Sequence, residues 1–464
     1  MTILELKTKE KLAEAARTLA ASFQLVNHNS KLYLPVDYTT RRASPPPDPR
    51  NRVWRSLDLN ELKLLANQTL RILFANESEV INFRGMLMQL AQYEAETPDF
   101  ILLYLPESGL AELHSDGRIV TEVTGSFTPN FMSVPLNRDA EKRKFVWNTI
   151  VEWVGGEENA HSLLHHVATA LAPDWSAAKY VLLLGEGRNG KGVFLEMVKA
   201  LFGKDNVSNV TRQQMAESSP VCAELNNMML NIVMDGPAKY VGDSGMEKTL
   251  TVGEESSVRK LYESGLTTVQ TNALFMEGLN SEPRTRDKSP ALQKRLTRFW
   301  FPNVYAANPR FSKHMRSKEN LGAFLALLLD HFVTEDEVAE KLAPTQQSTE
   351  LQMDQMLHNS LMLQFLADLA GKDPDAITKL LGTDAAIVVS SFVPWAQSQE
   401  GTLYSDADAL RMVREAFIVK RSTRRNTTPR NYQKIAALKP ETQTFISLME
   451  GESNEPDTMV VAES

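Results

Sequence analysis

The chain has 464 residues, of which 42% are hydrophobic and 23% charged, which is enough apolar material for two or three globular domains. A formal net charge of −8 argues against a protein that coats nucleic acid over its whole surface, though not against a basic channel inside an acidic particle. The one cysteine, Cys222, excludes an intrachain disulfide framework or a cysteine zinc cluster and fits a reducing cytoplasm, and no apolar run of about 18 residues offers a membrane span.

Residues 1–35 predict a helix, with Leu12, Leu19 and Phe23 on one stripe, followed by the strand-like LVNHNSKLYLPV. The acidic residues at the start do not fit a signal peptide. Arg41 to Arg52 is rich in proline and arginine and reads as a loop or internal linker. Residues 53–95 read as helical, through Leu62, Leu64, Leu65 and Leu70 and then Met86, Met88 and Leu90. From Pro98 the apolar runs are broken by ESG and SDG, both hairpin turn signals. Helices are expected at 141–154 and 158–171, the second stopped by Pro173, and there is no internal repeat.

The stretch Tyr180 to Phe202 organises the chain. Tyr180 to Leu184 reads as a buried strand, and from Val193 a helical pattern places Leu195, Val198 and Leu201 or Phe202 on one face. Between them lies Gly185-Glu186-Gly187-Arg188-Asn189-Gly190-Lys191, the spacing of a phosphate loop. Its glycines let successive N–H groups turn inward, the helix N-terminus adds partial positive charge, and the lysine reaches the β- and γ-phosphates. The bare spacing arises by chance in about one chain of this length in eight, so the flanking strand and helix carry the assignment. The bland alternative is a glycine-rich turn. Gly192 stands where a Ser or Thr hydroxyl usually meets Mg²⁺.

Further along, Met228 to Met234 is a second buried strand candidate ending at Asp235. Leu266 to Asn280 holds a third, and Leu296 to Pro302 is a fourth. Strands alternating with helices predict a largely parallel sheet covered on both faces, with ligands at the strands' C-terminal ends. Lys191, Asp235 and Asn280 each fall just beyond such an end. Residues 318–341 are strongly helical, and QQSTELQMDQMLHN opens another helical region. The basic run 420–434 is equally readable as a DNA-contacting patch or a solvated loop, and the acidic tail is expected to be disordered.

With these pieces in order, roughly residues 100–345 resemble a superfamily 3 helicase of the phage, plasmid and poxvirus primase-helicase branch, an AAA+ ATPase. GEGRNGKGVFLEMVKALFG is similar to that family's Walker A, and CAELNNMMLNIVMDG to its Walker B, with Asp235 at the acidic position. Glu247 to Glu263 resembles the third motif through Lys248, Gly253 and Glu254. NSEPRTRDKSPALQKRLTRFWFP resembles the last pair, with Asn280 and Pro283 at the sensor and Lys294-Arg295 at the basic pair.

The resemblance implies ATP and Mg²⁺ as cofactors. Gly185, Gly187, Asn189, Gly190, Lys191 and Gly192 would hold the nucleotide, and Asp235 the metal. Asn280 would position the attacking water, and Arg295 would act as an arginine finger in the neighbouring subunit, with Arg298 its nearest rival. A finger acting across an interface implies a homo-oligomeric ring, a hexamer. Lys239, Lys248, Arg259 and Lys260, around an expected hairpin, would hold DNA phosphates. Gly236 follows Asp235 where many ATPases carry a second carboxylate, for which Glu254 or Glu255 could substitute.

The fold implied is α/β: a P-loop AAA+ domain with a parallel sheet, flanked by a mixed α+β N-terminal domain and a mainly helical C-terminal region. The expected boundaries are 1–140, a lead-in and helicase domain at 141–345, a C-terminal domain at 346–449 with DNA contact open, and a tail at 450–464. The function implied is ATP-dependent translocation on single-stranded or forked DNA in phage genome replication, with replisome proteins as partners, in the host bacterial cytoplasm and without a membrane. The alternative is a nucleotide-dependent assembly or loading factor that hydrolyses weakly or not at all. A bifunctional primase-helicase is disfavoured, because the residues ahead of the resemblance lack a paired-aspartate strand motif. His161 and His165, at i, i+4 spacing, have no evident third ligand and read as a solvated helix face. Asp373-Pro-Asp375 and Asp406-Ala407-Asp408 read as helix starts.

Overall fold

The computed structural model describes the chain apart from residues 1–3, 6–8, 29–30, 40–47, 94–97, 218, 238–243, 260–265, 284, 286, 288, 401–403, 423–431 and 451–464. It divides into two compact units. Of the described residues, the first holds those within 4–237, 244–281 and 299–343, and the second those within 282–298 and 344–450.

In the first unit a short strand, Leu4–Glu5, precedes helix Lys9–Ser22, and Leu12 and Leu19 on that helix, with Phe23 just beyond it, are buried as their spacing predicts. The helical reading of 53–95 needs correction. Arg52–Ser56 is a strand paired antiparallel with Lys31–Asp37, and only then come helices Leu59–Leu70 and Glu77–Leu90. The break between those helices is local. Arg71 adopts the left-handed conformation at φ 57 and ends one helix, and the Asn76 side chain caps the next. The ESG and SDG signals do mark turns, joining strands Phe100–Leu105, Gly109–His114 and Ile119–Val120 into an antiparallel meander.

Two helices follow, α1 (Ala140–Val154) and α2 (Glu157–Ala168). Strand β1 (Tyr180–Leu184) then leads through the glycine-rich loop into α3 (Lys191–Phe202). After it come β2 (Val207–Ser208), β3 (Leu230–Val233), α4 (Gly245–Thr251), β4 (Ser256–Arg259), β5 (Leu266–Val269), β6 (Leu274–Leu279), β7 (Leu296–Trp300) and α5 (Lys318–Asp330). The third predicted strand is thus two. β5 turns back antiparallel on β4 as a hairpin, and β6, beyond the polar Gln270-Thr271-Asn272, enters the main sheet.

That sheet has five parallel strands in the order β2-β3-β6-β1-β7. All residues of β1, β3 and β6 are buried, as expected for strands covered on both faces. Val181, Leu183, Ile232 and Met276 pack on one face with Phe194, Leu195 and Val198 of α3, Ile150 of α1, Leu163 of α2 and Phe324 of α5. Each such side chain contributes about 1.5–3 kcal/mol by leaving water. The other face is partly polar, carrying Tyr180, Asn231 and Glu277, all essentially inaccessible.

The second unit has its own core, with Phe365, Leu366, Phe392, Val413 and Phe445 at its centre. Helices Gln346–Asn359, Leu361–Lys372, Ala385–Glu400, Asp406–Ala416 and Pro440–Glu450 surround an antiparallel hairpin of Phe417–Ser422 with Tyr432–Leu438. Asp375 precedes one short helix and Asp406 opens another, matching the helix-start reading. The basic run 420–434 coincides with the hairpin, but 423–431 lie outside the described residues, as does the acidic tail.

Candidate nucleotide site

The loop after β1 is shaped by its glycines. Gly190 caps α3 at φ 97, and a Cβ there would lie 2.6 Å from the Trp153 ring of α1, so only glycine lets α1 and the loop close together. Asn189 is buried and donates from Nδ2 to the carbonyl of Phe301 at 3.2 Å, which ties the loop to the chain beyond β7. Lys191 Nζ donates to Gly185 O at 2.5 Å and to Asn189 Oδ1 at 3.2 Å. Burial pulls the Lys191 ammonium below its ordinary pKa, and the Asp235 carboxylate opposes that shift. The two groups therefore share one electrostatic environment.

A cavity of about 680 Å³ opens at this loop. Gly187 to Gly192, Asp235 and Asn280 line one part, and Phe145, Trp153, Tyr305 and Phe311 line the rest. It lies at the C-terminal ends of β1, β3 and β6, and both Asp235 and Asn280 are exposed to solvent there. The donor set fits a nucleoside triphosphate. The glycine-rich loop, the N-terminus of α3 and Lys191 lie together, an exposed carboxylate lies nearby for a divalent cation, and aromatic side chains suit a base. Gly192 adds no hydroxyl, and a Cβ there would meet nothing within 4 Å.

The sequence alone does not reveal the aromatic lining. Trp153 and Phe145 lie within the helical stripe of α1, where aromatic spacing looks like core. Tyr305 is placed by long-range bonds, donating its backbone N–H to Arg188 O at 2.7 Å and its hydroxyl to Glu152 Oε1 at 3.1 Å. Neither Glu254 nor Glu255, the suggested substitute carboxylates, lines the cavity; both are exposed between α4 and β4.

The two finger candidates differ sharply. Arg298 is fully buried. It donates from Nε to Glu282 Oε2 at 2.7 Å and from NH2 to Glu282 Oε1 at 2.9 Å and Gln293 Oε1 at 2.8 Å. Arg295 is half-buried, with NH1 donating to the carbonyl of Ala291 in the preceding turn at 2.5 Å. Among the DNA-contact candidates, Arg259 is exposed at the end of β4, Lys248 lies half-buried on α4, and Lys239 and Lys260 fall outside the described residues.

His161 and His165 do acquire a third histidine, His331, but as a hydrogen-bonding partner. His331 Nδ1 donates to Leu327 O at 2.8 Å, so Nε2 accepts from His161 Nδ1 at 2.7 Å, and His165 Nδ1 donates to the His331 carbonyl at 3.0 Å. The solvated-face reading is corrected to a partly buried hydrogen-bonded cluster, and burial pulls the His331 pKa down to about 4. Among the described residues no group of three or more His, Cys, Asp or Glu is disposed to hold a metal, and no helix is long and apolar enough to cross a membrane.

No protein-family model matches the chain, and no curated protein does. Among solved structures, an A-form apo structure of the NrS-1 C-terminal region is similar at 11% identity with a TM-score of 0.49, covering 92% of this chain and 98% of that one. Another apo structure of the region gives 11% identity and a TM-score of 0.44, over 93% and 100%. A JCV helicase with a bound small molecule matches at 14% identity and a TM-score of 0.23, over 48% of this chain and 69% of that one.

Proposed function

We propose that the chain is an ATP-driven DNA helicase of the superfamily 3 type, built on an AAA+ domain and acting as a hexameric ring on single-stranded or forked DNA in phage genome replication, in the host cytoplasm. The observation that carries this reading is the convergence of Lys191, Asp235 and Asn280 on one cavity at the ends of three parallel strands. Mg²⁺–ATP would supply the transferable phosphoryl group and its charge-neutralising ion. Lys191 and the loop amides bind and orient the phosphates, Asp235 holds the ion directly or through water, and Asn280 orients the attacking water. Arg295 is assigned as the finger across a subunit border. Arg298 is unsuited to that role, because its guanidinium is committed to Glu282 and Gln293. Lys248 and Arg259, with Lys239 and Lys260, are assigned to DNA phosphates. Residues 1–140, 141–345 and 346–449 are taken as successive N-terminal, helicase and C-terminal domains, followed by the tail 450–464.

A second reading, a nucleotide-dependent assembly or loading factor with little or no hydrolysis, is favoured by Gly192 and Gly236, which leave the cavity without a loop hydroxyl and without a carboxylate after Asp235. Unwinding of a forked DNA substrate separates the two. The helicase reading expects strand separation that requires ATP and Mg²⁺. Nucleotide-dependent DNA binding without unwinding would leave the loading-factor reading standing.

A further inference from the structure

We propose that Glu277 is a positioning residue of this ATPase centre. Its carboxylate, delivered from β6, supplies the second negative charge beside Asp235 that Gly236 cannot. The inference rests on the reading of the cavity as a nucleotide site. A Cβ at Gly236 would lie 2.1 Å from Glu277 Oε1 and 2.6 Å from Glu277 Cδ, so the carboxylate fills the space from which a side chain at 236 would start. The register sets Glu277 beside Val233 of β3 and Leu182 of β1, directly below the two strand ends that carry Asp235 and the phosphate loop. Gly236 N donates to Gly278 O at 2.8 Å, which closes the Asp235 turn over Glu277. Gly278 allows that closure, since a Cβ there would stand 2.7 Å from Met234 O.

An inaccessible carboxylate in the middle of a sheet is costly compared with an apolar residue of similar size. Here it is oriented as well as buried. The Tyr180 hydroxyl donates to Oε2 at 3.3 Å, and Oε1 faces Gly236. The Arg212 guanidinium lies 5.6 Å from the centre of the same Tyr180 ring and pairs with Glu247 at 3.1 Å, so the ring that orients the Glu277 carboxylate is itself held in place. A negative charge fixed under the Asp235 turn strengthens that turn for a divalent cation and favours the arrangement in which the cation and the attacking water are held.

Glu277→Gln tests this, because the amide keeps the size and can still accept from Tyr180. The expected result is a kcat reduced about tenfold or more with KM for ATP within about threefold. In equilibrium titrations with a fluorescent ATP analogue, the Mg²⁺ concentration needed for half-maximal binding should rise about threefold or more. Unchanged kcat and Mg²⁺ midpoint, with only a shifted melting temperature, would overturn the proposal and leave Glu277 as a structural member of the Tyr180–Arg212–Glu247 cluster. If Glu277→Gln does not fold, Tyr180→Phe retains the ring and releases one carboxylate oxygen. A smaller loss in the same two readouts is expected, and wild-type values in both would overturn the proposal. Lys191→Ala separates the levels. Wild-type turnover in that variant defeats the nucleotide-site reading itself, whereas a dead Lys191→Ala beside a fully active Glu277→Gln defeats only the role of Glu277.

Discussion

Removing the Arg298 guanidinium strands a carboxylate. Glu282 is 4% exposed and loses two bonds of 2.7 and 2.9 Å in Arg298→Ala, and Gln293 loses another of 2.8 Å. Deleting one partner of a buried ion pair costs about 3–5 kcal/mol. For a unit of this size, at about 2–4 °C per kcal/mol, the transition of the second unit should fall by on the order of 10 °C. Arg295→Ala removes a half-exposed side chain whose bond is to its own helical turn, so the melt should move by no more than about 0.5–1 kcal/mol equivalent. Its effect should appear instead in turnover, where fingers contribute about 10³–10⁵ in other systems, with ATP binding retained. Thermal denaturation followed by circular dichroism, together with phosphate release measured well below the transition, reads both properties on the full chain. An Arg298→Ala protein that melts like wild type while losing turnover, or an Arg295→Ala protein with a lowered melt and intact turnover, would reverse the two assignments.

Gly190→Ala should abolish nucleotide binding and lower stability by about 2–4 kcal/mol, since it combines a left-handed backbone with a clash into Trp153; equilibrium binding and melting check it. Gly192→Ser should fold normally, because a Cβ there meets nothing within 4 Å, and should lower the Mg²⁺ requirement for turnover in a cation titration. Acid should weaken the first unit. His331 and His166 are held by burial at pKa values of about 4 and about 3, below the ordinary 6.5, so the unfolded chain binds protons that the folded one does not. Their stabilisation is complete above pH 6.5 and declines as pH falls through the window toward 4, by up to about 1.4 kcal/mol per pH unit for each group. Denaturation midpoints measured from pH 7 to 4 should show this slope, and His166→Gln should flatten it.

The parts of the site that follow from one local pattern were readable in the sequence. β1 and its loop are a continuous apolar run, glycines at fixed offsets and an amphipathic helix, and Asp235 and Asn280 each terminate an apolar run. What was not readable depends on residues far apart in the chain. Glu277 sits in an apolar strand run where its partners cannot be guessed, and its relation to Gly236 exists only once β3 and β6 are side by side. Arg295 and Arg298 look equivalent in the sequence, three residues apart, and are separated only by the burial that Glu282 and Gln293 create. His331 lies 170 residues from His161, so the histidine cluster could not be assembled from spacing. The strand Arg52–Ser56 was hidden by its position between a proline-rich stretch and a strongly helical one, and it is fixed by pairing with Lys31–Asp37.

Hydrolysis of ATP at the Lys191 cavity, coupled to DNA, is the activity from which every assigned role follows. Steady-state phosphate release by the wild-type chain and by Lys191→Ala, each with and without single-stranded DNA, tests it most directly. Mg²⁺-dependent turnover that DNA stimulates in the wild type and that vanishes in a folded Lys191→Ala is expected. Equal turnover in the two proteins would contradict it.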